Sequence, residues 1–169
     1  SGVGKDCVMV ALAEADPSFG LVRRVITRAP GLGGEDYDAV TEDEFVRLRN
    51  AGAFCVDWQA HGLHYGVPER VRASVENGDQ LLVNLSRSVL TRTRAAIPQF
   101  VVLSITASPK TLAARLSDRG RESEEEIARR LQRRVQDLPE HLVVHTISND
   151  GPLEDTVSNA LAVLQPARA

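Results

Sequence analysis

The sequence predicts an α/β fold, a parallel sheet flanked by helices, and three observations carry that prediction. Residues 81–85, 100–105 and 143–147 are continuous apolar runs, the pattern of strands buried on both faces. Segments with helical start signals alternate with them. Ahead of the first helical segment stands Ser1-Gly2-Val3-Gly4-Lys5-Asp6-Cys7, the back half of the phosphate-binding pattern G-x-x-x-x-G-K-[ST], or P-loop.

In chain order, a helix is expected over 6–15, and residues 21–27 read as a strand. Residues 29–36 hold Pro30, Gly31, Gly33 and Gly34 and read as loop. Thr41-x-x-Glu44 is a capping box that opens a helix through Ala51, and Gly52 ends it. Residues 54–60 and 63–66 form a hairpin-like pair, and 68–77 a helix stopped by Gly78. The strands at 81–85 and 100–105 follow. Ser108-Pro109 starts a helix to about residue 118, and Ser123-x-x-Glu126 caps another to about 137. After the strand at 143–147, Asn149-Asp150-Gly151-Pro152 opens the last helix. The span 28–77 interrupts the alternation with two short strands, as an inserted subdomain does. The strand that normally precedes a P-loop, and the motif's first glycine, are expected upstream of residue 1.

With 169 residues the chain is one domain able to bury a core. A net charge of −3 argues against a general nucleic-acid binder. No apolar run approaches a membrane span and no secretory signal is visible. Cys7 and Cys55 make no disulfide framework, so a cytoplasmic location is expected. His61 and His64 stand three apart without a partner at ligand spacing and are not read as a metal pair.

The chemistry of the first segment follows from its residue types. Small residues let successive N–H groups curl around an anion, and the helix behind them points its positive end at it. Lys5 adds a mobile cation; Lys110 is the one other lysine in a chain otherwise supplied with arginine. Asp6 stands where Ser or Thr meets Mg²⁺ in the general motif, and a carboxylate could reach the metal directly or through water.

Two ordered series run through the rest. The first is Val25-Ile26-Thr27-Arg28, Gly34-Glu35, Glu44-Phe45, Trp58 and Tyr65-Gly66. The second is Ser108-Pro109, Leu112, Arg115-Leu116, Arg119-Gly120-Arg121-Glu122, Ile127, Arg130-Leu131 and Asn149-Asp150. With the P-loop half, these resemble the guanylate kinase superfamily over almost the whole chain. Five stretches bring it nearer to the ribose 1,5-bisphosphate phosphokinases within that superfamily: residues 4–6, 26–28, 62–67, 83–87 and 119–122.

The resemblance implies a P-loop nucleoside-triphosphate hydrolase-like fold, with a core over 1–27 and 78–169, an acceptor-binding subdomain over about 28–77 and a lid over about 117–130. It implies ATP as donor and Mg²⁺ as cofactor. Ser1, Gly2, Val3, Gly4, Lys5, Asp6 and Cys7 would hold the phosphates, with Asp6 toward the metal. Arg119, Arg121 and Arg130 of the lid would neutralise the γ-phosphoryl and exclude water. Lys5, Arg119 and Arg130 are the expected catalytic set. Asn149 and Asp150 would lie by the adenine.

For the acceptor, guanylate kinases place a Ser four residues before the Thr-Arg arginine, a second arginine three residues after it, and base-reading acids on the third core strand. This chain has Arg24, Gly31, and Asn84 and Ser86 followed by Arg87. Groups that would read a base are replaced, and arginines stand beside them, a trade that suits a ligand with two phosphates and no base. Arg24, Arg28, Glu35, Tyr65 and Arg87 are the acceptor candidates. The implied reaction turns ribose 1,5-bisphosphate and ATP into 5-phosphoribosyl 1-diphosphate, as in phosphonate breakdown. Guanylate kinase activity and a non-catalytic protein-binding module of the same fold stay open at this point. The expected partners are small molecules, not nucleic acid or membrane; a homodimer is compatible with the sequence.

Overall fold

The structure is a computed structural model and describes residues 2–31, 34–118 and 138–165. Its elements run α1 (Lys5–Ala15), β1 (Phe19–Leu21), β2 (Arg24–Ile26), β3 (Tyr37–Ala39), α2 (Glu42–Asn50), β4 (Phe54–Ala60), β5 (Leu63–Pro68), α3 (Arg70–Glu76) and β6 (Gln80–Leu82). A 3-10 turn (Arg87–Val89) follows, then α4 (Leu90–Ala96), β7 (Val102–Thr106), α5 (Pro109–Asp118), β8 (Val144–Ser148) and α6 (Leu153–Leu164). None of the described helices is long and apolar enough to cross a membrane.

The chain divides into two compact units. One comprises Ser1–Leu12, Val101–Leu138 and Val143–Ala169. It carries the parallel pair β7–β8, in register from Val102 opposite Val144 to Thr106 opposite Ser148. These are two of the continuous apolar runs, and parallel pairing is what such runs favour. The glycine loop, α5 and α6 belong to the same unit.

The other unit comprises Ala13–Phe100 and Pro139–Leu142. It holds a parallel pair, β1–β6, and a mixed four-stranded sheet in the order β3-β2-β5-β4. The expected hairpin is β4–β5, closed at His61-Gly62 by two residues with positive φ, 53° and 73°. Ile26, Val56, Trp58, Tyr65, Val67 and Val71 form the centre of its core.

Three expectations need correction. The run 21–27 is not one strand. Leu21 ends β1, whose neighbour Val22 still donates its N–H to Leu82 O at 3.0 Å, and β2 joins the other sheet. The break falls on the charged Arg23, which pairs with Asp36 at 3.0 Å and Asp38 at 2.9 Å and so ties β2 to the unforeseen strand β3. The run 81–85 pairs only to Leu82, because β1 offers just three residues opposite it. The 3-10 turn and α4 went unread, since Thr91, Arg92, Thr93 and Arg94 carry no capping signal and hide the helical period. The capping box at Thr41 is formed as expected, with Glu44 N–H donating to Thr41 Oγ1 at 3.2 Å.

Candidate active site

The candidate residues fall into two groups, one in each unit. In the first unit, Gly2 and Gly4 hold φ of 94° and 83°, the left-handed conformations that glycine permits and a nest of N–H groups needs. Val8 N–H then closes the first helical bond to Gly4 O at 3.0 Å. Lys5 opens α1 and Asp6 lies in its first turn, where the helix dipole favours a carboxylate. Cys7 is exposed. Ser1 lies outside the described residues.

Asn149 is buried, at 4% exposure, in the step from β8 to α6. Its Nδ2 donates to Val3 O at 2.8 Å, and Arg115 Nη1 donates to the same carbonyl at 3.4 Å. Asp150 faces another way. Its carboxylate accepts the Ser108 N–H at 2.7 Å and the Ser148 hydroxyl at 2.8 Å. With the Thr111 hydroxyl as the largest cause, these donors hold the Asp150 carboxyl well below the usual carboxylate range. Both residues are expected beside adenine; the Asn149 amide meets the glycine loop and Thr156 of α6, and the Asp150 carboxylate meets the start of α5 and Ser148.

In the second unit, Arg24, Arg28, Glu35 and Tyr65 come together. The Arg24 side chain is 6% exposed and donates to Glu35 through Nε at 3.1 Å and through Nη2. Its guanidinium also lies 5.1 Å from the Tyr65 ring centroid and 5.6 Å from that of Trp58, the two rings being stacked. Glu35 reaches a second cation: Arg28 Nη1 lies 3.9 Å away. Arg28 Nη2 donates to the Tyr65 hydroxyl oxygen at 3.4 Å, and its guanidinium sits 5.4 Å from the Tyr37 ring centroid. Arg28 and Glu35 are the more open members, at 23% and 20% side-chain exposure. Arg87 is half-buried at the start of the 3-10 turn.

The register explains the assembly. Arg24 is opposite Tyr37, Ile26 opposite Tyr65, and Trp58 opposite Tyr65. Among the described residues of the cluster two guanidiniums face one carboxylate, a donor-rich arrangement that suits an anionic ligand. Tyr37, Trp58, Arg115 and Thr156 were not assigned roles from the sequence. Tyr37 and Trp58 were hidden because only strand pairing brings them to the arginines. Thr156 had a signal: it is the polar member of an apolar helix face with Leu153, Val157 and Ala160. Arg119, Arg121 and Arg130 lie outside the described residues. Among the described residues no cluster of three or more His, Cys, Asp or Glu could hold a metal alone.

The model of the family described as guanylate kinase matches residues 1–166. A protein of Ruegeria sp. (strain TM1040) named ribose 1,5-bisphosphate phosphokinase PhnN is 49% identical, over 100% of this chain and 90% of its own. One of the same name from Agrobacterium fabrum is 45% identical, over 98% of this chain and 92% of its own. The crystal structure of guanylate kinase from Anaplasma phagocytophilum superposes with a TM-score of 0.67 at 25% identity, covering 95% of this chain and 82% of that one. A match over almost every residue, and relatives at this identity over almost their full lengths, have one reading: the chain belongs to the guanylate kinase family.

Proposed function

We propose that this protein is an ATP-dependent kinase that phosphorylates ribose 1,5-bisphosphate to 5-phosphoribosyl 1-diphosphate. The observation that carries the reading is the cationic cluster of Arg24, Arg28, Glu35 and Tyr65, which offers charge and a hydroxyl to an anionic acceptor. Relatives 40–49% identical over most of the chain bear the name of that activity. Guanylate kinase activity is disfavoured, because the position of a base-reading Ser holds Arg24, locked to Glu35.

The chemistry is a displacement at the γ-phosphorus of ATP. An oxygen of the acceptor's 1-phosphate forms the new P–O bond, the β–γ bridge breaks, and ADP leaves. That oxygen is already anionic, so no general base is required; the protein's task is positioning and charge neutralisation. The amides of residues 2–7 and Lys5 bind the donor phosphates. Asp6 would help to hold Mg²⁺ beside the phosphates, where the ion would supply further neutralisation. Arg119, Arg121 and Arg130 complete the charge set around the γ-phosphoryl in this reading. On the acceptor side, Arg28 and the Tyr65 hydroxyl make the direct phosphate contacts, with Arg87 toward the second phosphate. Tyr65 accepts from Arg28 and keeps its own hydrogen to donate. Arg24 and Glu35 hold the cluster from behind.

The test is turnover by the full-length protein with ribose 1,5-bisphosphate, ATP and Mg²⁺, followed by coupled ADP detection and phosphorus NMR. The expected result is ADP matched one to one by a new diphosphate signal. ADP formation indifferent to the sugar bisphosphate overturns the proposal.

A further inference from the structure

Val3 and Gly4 share a trans peptide, as every described peptide bond is. A trans peptide is planar, so the Gly4 N–H points opposite to the Val3 carbonyl. Whatever holds that carbonyl therefore aims the N–H. Two side chains hold it: Asn149 through Nδ2 at 2.8 Å and Arg115 through Nη1 at 3.4 Å.

Asn149 is itself fixed on three sides. Its backbone N–H donates to Thr106 O, at the end of β7, at 2.8 Å. Its Oδ1 accepts the Thr156 hydroxyl at 2.9 Å, and Thr156 is buried in α6. A carbonyl can only accept, so the amide must turn its nitrogen to Val3, and the Thr156 donor reinforces that orientation. The amide also fills the space beside Gly4: a Cβ there would stand 2.7 Å from Asn149 Nδ2. Gly4 is thus required both by its φ of 83° and by the side chain packed against it. A buried amide and a half-buried guanidinium spent on one loop carbonyl are otherwise unexplained.

The geometry points to Asn149 as a positioning residue of the nucleotide loop. Backed by Thr156, it turns the Val3 carbonyl inward and presents the Gly4 N–H to the nucleotide phosphate. This rests on the nucleotide-loop reading above and gives Asn149 a task other than contact with the base.

The test is ADP affinity by calorimetry, with the acceptor KM and the Gly4 amide signal in ¹⁵N NMR. Asn149→Asp is isosteric but sets an acceptor oxygen against the Val3 carbonyl. It is expected to weaken ADP about tenfold, a change of ~1.4 kcal/mol. The acceptor KM should move by less than about twofold, and the ADP-induced shift of the Gly4 amide should shrink. Thr156→Val should weaken ADP in the same direction, and Thr156→Ser, which keeps the donor, should restore most of the loss. ADP binding by Asn149→Asp within about twofold of the unmodified protein overturns the inference. If Asn149→Asp does not fold, the Thr156 pair decides, and equal ADP affinity for Val and Ser overturns it. Lys5→Ala separates the underlying reading: unaltered ADP affinity there refutes the nucleotide loop, whatever Asn149 does.

Discussion

Replacing Arg24 by leucine removes the buried partner of Glu35 while keeping an apolar stem between the sheet and the aromatic pair. The guanidinium lost makes three contacts to the carboxylate, from Nε to Oε2 at 3.1 Å and from Nη2 to both oxygens, and covers the Tyr65 and Trp58 rings. Breaking one side of a buried ion pair costs about 3–5 kcal/mol, because the other charge is left unpaired. The lower end applies here: Glu35 keeps 20% side-chain exposure, and Arg28 at 3.9 Å can move to it. About 3 kcal/mol in a chain of this size lowers Tm by about 6–12 °C, at ~2–4 °C per kcal/mol. Calorimetry on Arg24→Leu, Glu35→Leu and the double variant closes a cycle. The double variant should recover most of the loss, with a coupling energy of about 2 kcal/mol or more, since apolar replacement of both partners is near neutral. A drop below about 2 °C for Arg24→Leu, or losses that simply add, would refute the buried-pair argument.

Lys5→Ala should lower turnover by at least about a hundredfold with Tm unchanged, as loss of a phosphate-neutralising cation does; steady-state kinetics and a thermal melt read both. Tyr65→Phe should raise the acceptor KM several-fold and leave the ATP KM in place, by removal of one hydroxyl contact worth about 0.5–1.5 kcal/mol. Iodoacetamide should label exposed Cys7 before half-buried Cys55, whose thiol is pushed up by burial and then by Glu69, and ADP should slow labelling of Cys7 alone. Asp150→Asn should destabilise the protein near neutral pH. The folded carboxyl titrates below its ordinary value of 3.8, so its stabilisation is present above that value and is lost as acid protonates it. Urea melts of both proteins should therefore differ at pH 7 and 5 and converge toward pH 2.

The sequence names the members of the arginine cluster but not how they meet. Arg28, Glu35 and Tyr65 lie on three different segments, and their convergence depends on the register of β2 against β3 and β5. Periodicity does not encode register between distant strands. The P-loop half was legible because its chemistry is local: positive-φ glycines, a lysine and a helix start within seven residues. The contact of Asn149 with the glycine loop was not legible, because its partner Val3 is 146 positions away. The pairing of Arg24 with Glu35 was not legible, because it depends on a loop whose path no local signal fixes.

The central claim is the identity of the acceptor, and the ratio of kcat/KM for ribose 1,5-bisphosphate to that for GMP tests it most directly. It is measured on the full-length protein with the same ATP, Mg²⁺ and coupling system. A ratio well above one is predicted, because in the proposed reading Arg28 and Tyr65, joined by a hydrogen bond, take a phosphate, and Arg24, paired with Glu35, is not free to read a base. A ratio below one would contradict the account and make the protein a guanylate kinase.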